Sequence, residues 1–191
     1  MQSKIFKPLP FLPARHHLNR WAAGYFLVKH GFSNSIIQRE TTFTYKQIRR
    51  IRSDLGISER RKNCYGQDVL SATEWLAYTA AIQVYCELRE KKIQHIEAVI
   101  EAHEWLSQKW RRKNIDINGF YVACDEIHNG AAIFSQCRYC NVEVFTGPGL
   151  RDRLGSRRCP ACGQQNWERP STAHRVGHIA QPPQSQQQTL F

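Results

Sequence analysis

Four cysteines in two Cys-x-x-Cys pairs, Cys137/Cys140 and Cys159/Cys162, separated by eighteen residues, restrict this chain more than anything else in it. Two residues between thiols let a tight turn aim both sulfurs at one point, and two such turns close a tetrahedron around zinc. Between the pairs, Val142-Glu143-Val144-Phe145 reads as a strand and Gly147-Pro148-Gly149 as a turn. Gly163, directly after Cys162, supplies the positive φ that the second turn needs. The spacing predicts a small zinc ribbon with one structural Zn2+ held by Cys137, Cys140, Cys159 and Cys162.

Three other uses of these cysteines compete with that reading. A pair of disulfides wants an oxidising compartment, whereas no signal peptide opens the chain, so a reducing cytoplasm is expected. A redox Cys-x-x-Cys wants a βαβ setting, which the region lacks. A deaminase-type zinc site would use a His-x-Glu such as His95-Ile96-Glu97, but no proline precedes Cys137 or Cys159, and four thiolates leave zinc no open position. Cys64, Cys86 and Cys124 are scattered and read as ordinary thiols, and His95 and His103 as surface or partly buried histidines.

Charge points to a partner. The net charge is +11, and it is uneven: residues 1–62 hold 13 Lys and Arg against 3 acids, while residues 63–136 hold 7 against 10. A basic block of that kind suits a polyanion, most simply double-stranded DNA. No run of eighteen apolar residues occurs, so a membrane-spanning role is not expected.

Five segments follow in order. Residues 1–13, with Pro8, Pro10 and Pro13, form an extended arm. Residues 14–62 form a basic helix-turn-helix-like region: a helix through Leu18, Trp21, Ala22, Tyr25 and Val28, a short one carrying Ile36 and Ile37 after a Ser33 or Asn34 cap, and a third from Tyr45 to Leu55 capped by Thr44. Thr41-Thr42-Phe43 reads as the turn, and Ile48, Ile51 and Leu55 as the third helix's buried stripe. Thr44, Tyr45, Lys46 and Gln47 are then placed for bases or nearby backbone, and Arg39, Arg49, Arg50 and Arg52 for phosphates. Arg60, Arg61 and Lys62 in the connector are further phosphate candidates.

Residues 63–132 read as a helical core and partner-binding region, with long helices over 68–92 and 93–113 and a shorter one over 115–128, stopped by Asn129-Gly130. Residues 133–169 are the ribbon, with Arg138, Arg151, Arg153, Arg157, Arg158 and Arg169 as a second positive surface. The Gln- and Pro-rich residues 170–191 read as a disordered tail. The expected fold is mainly α, with amino-terminal helix-turn-helix-like helices, a helical core and a small carboxyl-terminal four-cysteine zinc ribbon. No Gly-rich phosphate loop, nucleophile elbow or paired carboxylates at pocket-like spacing occur, so an enzyme is not expected. A zinc-containing protein–protein adaptor that touches no DNA is the alternative to a DNA-binding protein.

Thr41-Thr42-Phe43-Thr44, then Ile48-Arg49-Arg50-Ile51-Arg52 and Leu55-Gly56, then Gly66, Ser71 with Trp75, a long helix ending in Trp110 and the cysteine quartet stand in an order that resembles FlhC, the C subunit of the flagellar master transcriptional activator. The order is also similar to C subunits of conjugative-element activators of the SetC and AcaC type. The resemblance implies a bacterial, cytoplasmic, DNA-binding activator that works in a hetero-oligomer with a smaller FlhD-like partner and recruits RNA polymerase. It also implies a structural zinc on the four cysteines and DNA contact around Thr44–Arg52. The proline-rich opening, the Gln-rich tail, a connector at 56–66 without a proline pair and the segment before Cys137 depart from the flagellar pattern. They favour a relative carried by a mobile element or phage, with flagellum biogenesis or conjugative transfer as the process served.

Overall fold

A computed structural model describes residues 16–58, 72–110, 116–147, 158–165 and 167–170, with 168–170 described by backbone alone. Six helices, α1 (His17–Lys29), α2 (Asn34–Thr41), α3 (Tyr45–Asp54), α4 (Ala72–Glu90), α5 (His95–Lys109) and α6 (Ile117–His128), precede three short strands, β1 (Ile133–Cys137), β2 (Glu143–Thr146) and β3 (Glu168–Pro170). The fold is mainly α with a small cysteine-bearing sheet, as expected. The arm at 1–13, the connector with Arg60, Arg61 and Lys62, the glycine-proline turn at 148–149 and the tail beyond Pro170 lie outside the described residues.

Local chemistry sets the first three helices. The Ser33 hydroxyl accepts from the Ile36 N–H and starts α2. At α3 the Thr44 hydroxyl accepts from the Gln47 N–H while Gln47 Oε1 accepts from the Thr44 N–H at 2.8 Å, a reciprocal cap. Gly56, at φ 64°, carries the chain out of α3 in the left-handed region. Thr41, expected in the turn, is instead the last residue of α2; the left-handed residue is Thr42, at φ 58°. The turn between α2 and α3 is thus Thr42-Phe43-Thr44.

The three helices close on Leu27, Val28, Ile36, Ile37, Phe43, Ile48 and Ile51, all buried. Leu55, expected in the same stripe, is 38% exposed because it caps the helix after its last turn. Phe43 reaches α1 at Gly24, where an added Cβ would stand 2.5 Å from the Phe43 ring and 3.0 Å from Ile51 Cδ1. Elsewhere in a helix, Gly→Ala stabilises by about 1 kcal/mol. Here the ring is pinned by Trp21, 4.8 Å away, and overpacking dominates. Gly24→Ala should therefore destabilise by roughly 1 kcal/mol net, read as a lower urea midpoint; a gain would show that the ring moves freely.

Helices α4, α5 and α6 pack on one another around Ala81, Ile82, Tyr85, Val99, Leu106 and Phe120. The Asp116 side chain caps α6 by accepting from the Asn118 and Gly119 N–H groups. The sheet runs β2-β1-β3, antiparallel throughout, with Phe134 opposite Phe145 and Cys137 opposite Glu168. Sequence patterning does not single out β1 or β3, and β3 extends through Pro170, the residue at which the tail is expected to begin.

Candidate metal centre and nucleic-acid interface

The two cysteine pairs form matching turns. In the first, the Asn141 N–H donates to the Cys137 carbonyl (2.9 Å) and the Cys137 N–H to the Val142 carbonyl (2.9 Å). In the second, Gly163 N–H donates to the Cys159 carbonyl (2.8 Å) and Cys159 N–H to the Gln164 carbonyl (2.9 Å). The residue four beyond each leading cysteine has positive φ: Asn141 at 58° and Gly163 at 74°. Asparagine is one of the few non-glycine residues that adopts this conformation readily, so Asn141 was readable as the counterpart of Gly163. Backbone N–H groups of Tyr139 and Cys140 face the Cys137 sulfur, and those of Ala161 and Cys162 face that of Cys159.

Both turns aim inward. The four sulfurs lie within 4.8 Å of one another, with Cys137 to Cys162 and Cys140 to Cys159 each at 3.8 Å. A disulfide needs sulfurs about 2.05 Å apart, so these thiols are not bonded in pairs. Their arrangement fits a single ion at the centre, and among the described residues no other group of side chains does. The leading cysteines are buried, Cys140 is half-buried and Cys162 is exposed, so the cluster faces solvent on one side only.

Helix α4 supplies the floor. Trp75, Trp167, Val144, Cys137 and Cys159 form a buried cluster, with the two indoles edge-on at 5.8 Å. The Trp75 indole N–H donates to the Phe145 carbonyl at 2.8 Å, and the Phe145 N–H donates to Thr79 Oγ1 at 3.2 Å. Both outward backbone groups of Phe145 are therefore satisfied by the helix. Local patterning makes Trp75 core filling and no more; that it seats the cysteine cluster, with Trp167 against it, depends on contacts distant in sequence.

On α3, Tyr45, Lys46, Arg49, Arg50 and Ser53 are exposed, and at 3.6 residues per turn they share an arc of about 140°. Ile48 and Ile51 fall on the opposite side, buried. The salt bridges resolved among the described residues that involve Arg39 do not extend to Lys46, Arg49 or Arg50, and Asp54, one turn beyond Arg50, accepts from the Tyr25 hydroxyl at 2.5 Å. On the ribbon, Arg138 and Arg158 are exposed; the side chains of the other ribbon arginines lie outside the described set.

Other expected contacts are placed differently. Thr44 and Gln47 turn their polar atoms on each other as the α3 cap. Arg52 is only 8% exposed: its Nε donates to Asn34 Oδ1 at 3.1 Å and its Nη2 to the Phe32 carbonyl at 2.9 Å. It ties α3 to the start of α2 and has no surface for a phosphate. Arg39 forks onto Asp125 of α6 with both distances 2.9 Å. Sequence shows the positive charge of these arginines but not a partner 86 residues away.

His95 belongs to the helical core and not to the cysteine cluster. Its Nδ1 shares a 2.7 Å hydrogen bond with the Tyr85 hydroxyl, its ring stacks on His128, and its Nε2 is buried without a partner. Burial first, then the His128, Arg89 and Arg39 charges, pull its pKa down from 6.5 to about 4, against the opposing pull of Asp125. A depressed imidazole contributes stability that is complete above pH 6.5 and lost as pH falls toward 4. Between pH 7 and pH 5 the wild type should lose about 2 kcal/mol more than His95→Gln, measured by urea unfolding; parallel pH profiles would sink the assignment.

Burial pushes the Cys86 thiol up to about 11 and also pushes the fully buried Cys124 thiol well above its ordinary value. Both are free thiols, and Cys64 lies outside the described residues. No helix among the described residues is long and apolar enough to cross a membrane. No protein-family model matches the chain, and no curated protein matches it either.

Proposed function

We propose that this protein is a DNA-binding transcriptional activator subunit of the FlhC type, carrying one structural zinc and acting with a FlhD-like partner to recruit RNA polymerase at promoters. The observation that carries the reading is the exposed, basic outward arc of α3, with Tyr45 and Lys46 on its first turn and Arg49 and Arg50 behind them. A helix so exposed fits a major groove, its first turn reaching base edges while arginines meet phosphates. The three-residue turn between α2 and α3, and α1 packed across both, support the same arrangement.

Zinc is the metal that the donor set favours. Four thiolates select a soft ion, and a tetrahedron with arms of about 2.3 Å has edges of about 3.8 Å, the separation of the paired sulfurs. A four-sulfur site leaves no open position, so the ion holds the ribbon together and activates no water.

The test is a duplex-binding assay on the chain with its co-expressed small subunit. Arg49→Ala with Arg50→Ala should weaken binding to every sequence and lower the slope of log affinity against log salt by about 2. If affinity and slope stay unchanged, α3 is not the contact surface. A stable complex with the small subunit that binds no duplex returns the protein to the adaptor class.

A further inference from the structure

We propose that Arg39 is a positioning residue, which sets the angle of the α1–α3 unit on the α4–α6 core, and is not a phosphate contact. The inference rests on the duplex-binding reading above. The helices pack side by side within each group: α1, α2 and α3 with one another, and α4, α5 and α6 likewise. One buried apolar cluster runs through both groups, and directional polar contacts join them where α2 meets α6. The guanidinium of Arg39 sits 4.8 Å over the Tyr121 ring and forks onto both carboxylate oxygens of Asp125. The Tyr121 hydroxyl accepts from Arg39 Nη2 and donates to Glu40 Oε1. At the other end of α2, the Ser33 N–H donates to Asn118 Oδ1 at 2.6 Å and Asn118 Nδ2 to the Gly31 carbonyl at 3.4 Å. Phe32, edge-on to Tyr121 at 5.8 Å, adds a buried ring contact between them.

A bidentate fork fixes direction as well as distance, whereas apolar packing is non-directional. The α2–α6 fork therefore holds the outward arc of α3 in one relation to the ribbon carried by α4. A duplex, or a complex with a partner subunit, that must meet both finds them already aligned. Without the fork only a fraction of molecules would hold the competent angle, and apparent affinity would fall by that fraction. Half of the Arg39 side chain is exposed, so the rival role as a phosphate contact makes a different prediction for each variant.

The experiment uses the full-length, metal-loaded chain with its small subunit and a duplex that the wild type selects from a random-sequence pool. Asp125→Ala removes the fork and leaves Arg39 with Glu40, 3.6 Å from its Nε, and Arg39→Lys keeps the charge but loses the fork. For a clamp, each should weaken binding by about tenfold with the salt slope unchanged, and the exchange Arg39→Asp with Asp125→Arg should recover part of the loss. For a phosphate contact, Asp125→Ala should bind as well or better, Arg39→Lys should be near neutral, and the exchanged pair should be worst; that pattern overturns the proposal. A double-mutant cycle on urea stability runs beside it, because these conservative variants are expected to fold. Non-additive losses at 39 and 125 support the clamp, and additive ones overturn it. If the wild type selects no duplex, the DNA-binding reading fails by itself, and the cycle alone decides whether the clamp exists.

Discussion

Cys159→Ser is expected to empty the metal centre and unfold the ribbon while the six helices remain. Cys159 leads the second turn, lies buried against Trp75 and Trp167, and takes the N–H groups of Ala161 and Cys162 onto its sulfur. A hydroxyl there cannot ionise at neutral pH, and it places a harder, shorter donor where a thiolate is needed. Metal binding in small sites of this kind is folding free energy, roughly 10–16 kcal/mol at pH 7. Removing one ligand of four should lower metal affinity by more than about 100-fold. Elemental analysis, competition with a chelator and amide exchange over 133–147 and 158–170 read the result. Stoichiometric metal in the variant would refute a four-cysteine site. Cys162→Ser makes a useful contrast: its thiol is exposed, so it should weaken the metal without opening the apolar floor.

Trp75→Ala should lower stability by about 3–5 kcal/mol and speed metal loss. The indole fills the space between α4 and the leading cysteines, and its N–H is the donor that the Phe145 carbonyl receives. Truncation removes a large buried surface and leaves that carbonyl without its partner from the helix. Trp75→Phe separates the two effects, keeping most of the packing and losing only the hydrogen bond, for about 1 kcal/mol. Urea midpoints and the rate of metal transfer to a chelator measure both. Wild-type metal retention in Trp75→Ala would mean that the ribbon stands without its helical floor.

Much of this architecture was legible because it is written in short-range chemistry. Thr44 as a cap, Gly56 as an exit, Gly163 as a left-handed turn and the four cysteines each act within a few residues of themselves. What was not legible depends on partners distant in sequence. Arg39 and Arg52 look like free charge in the sequence, yet one forks onto α6 and the other is spent on Asn34 and a carbonyl. Strand β1 has no turn signal of its own, because it exists through pairing with β2 and β3. Trp167 is defined by Trp75, ninety-two positions earlier. On α3 periodicity placed Ile48 and Ile51 inward and Lys46, Arg49 and Arg50 outward, but not Arg52 inward or Leu55 outward, nor that Thr44 and Gln47 would be consumed by each other.

The capping of Phe145 by Trp75 and Thr79 also limits how this protein can be joined to others. Among the described residues, one border of the sheet is met at Phe145 by a helix, and the other is a three-residue strand ending in a proline, which has no amide hydrogen to offer. An incoming extended peptide finds little to zip onto, and runaway stacking of ribbons into fibrils has little template. Any companion chain must then be gripped through side chains on helical or ribbon faces, which a point substitution can abolish without touching the sheet.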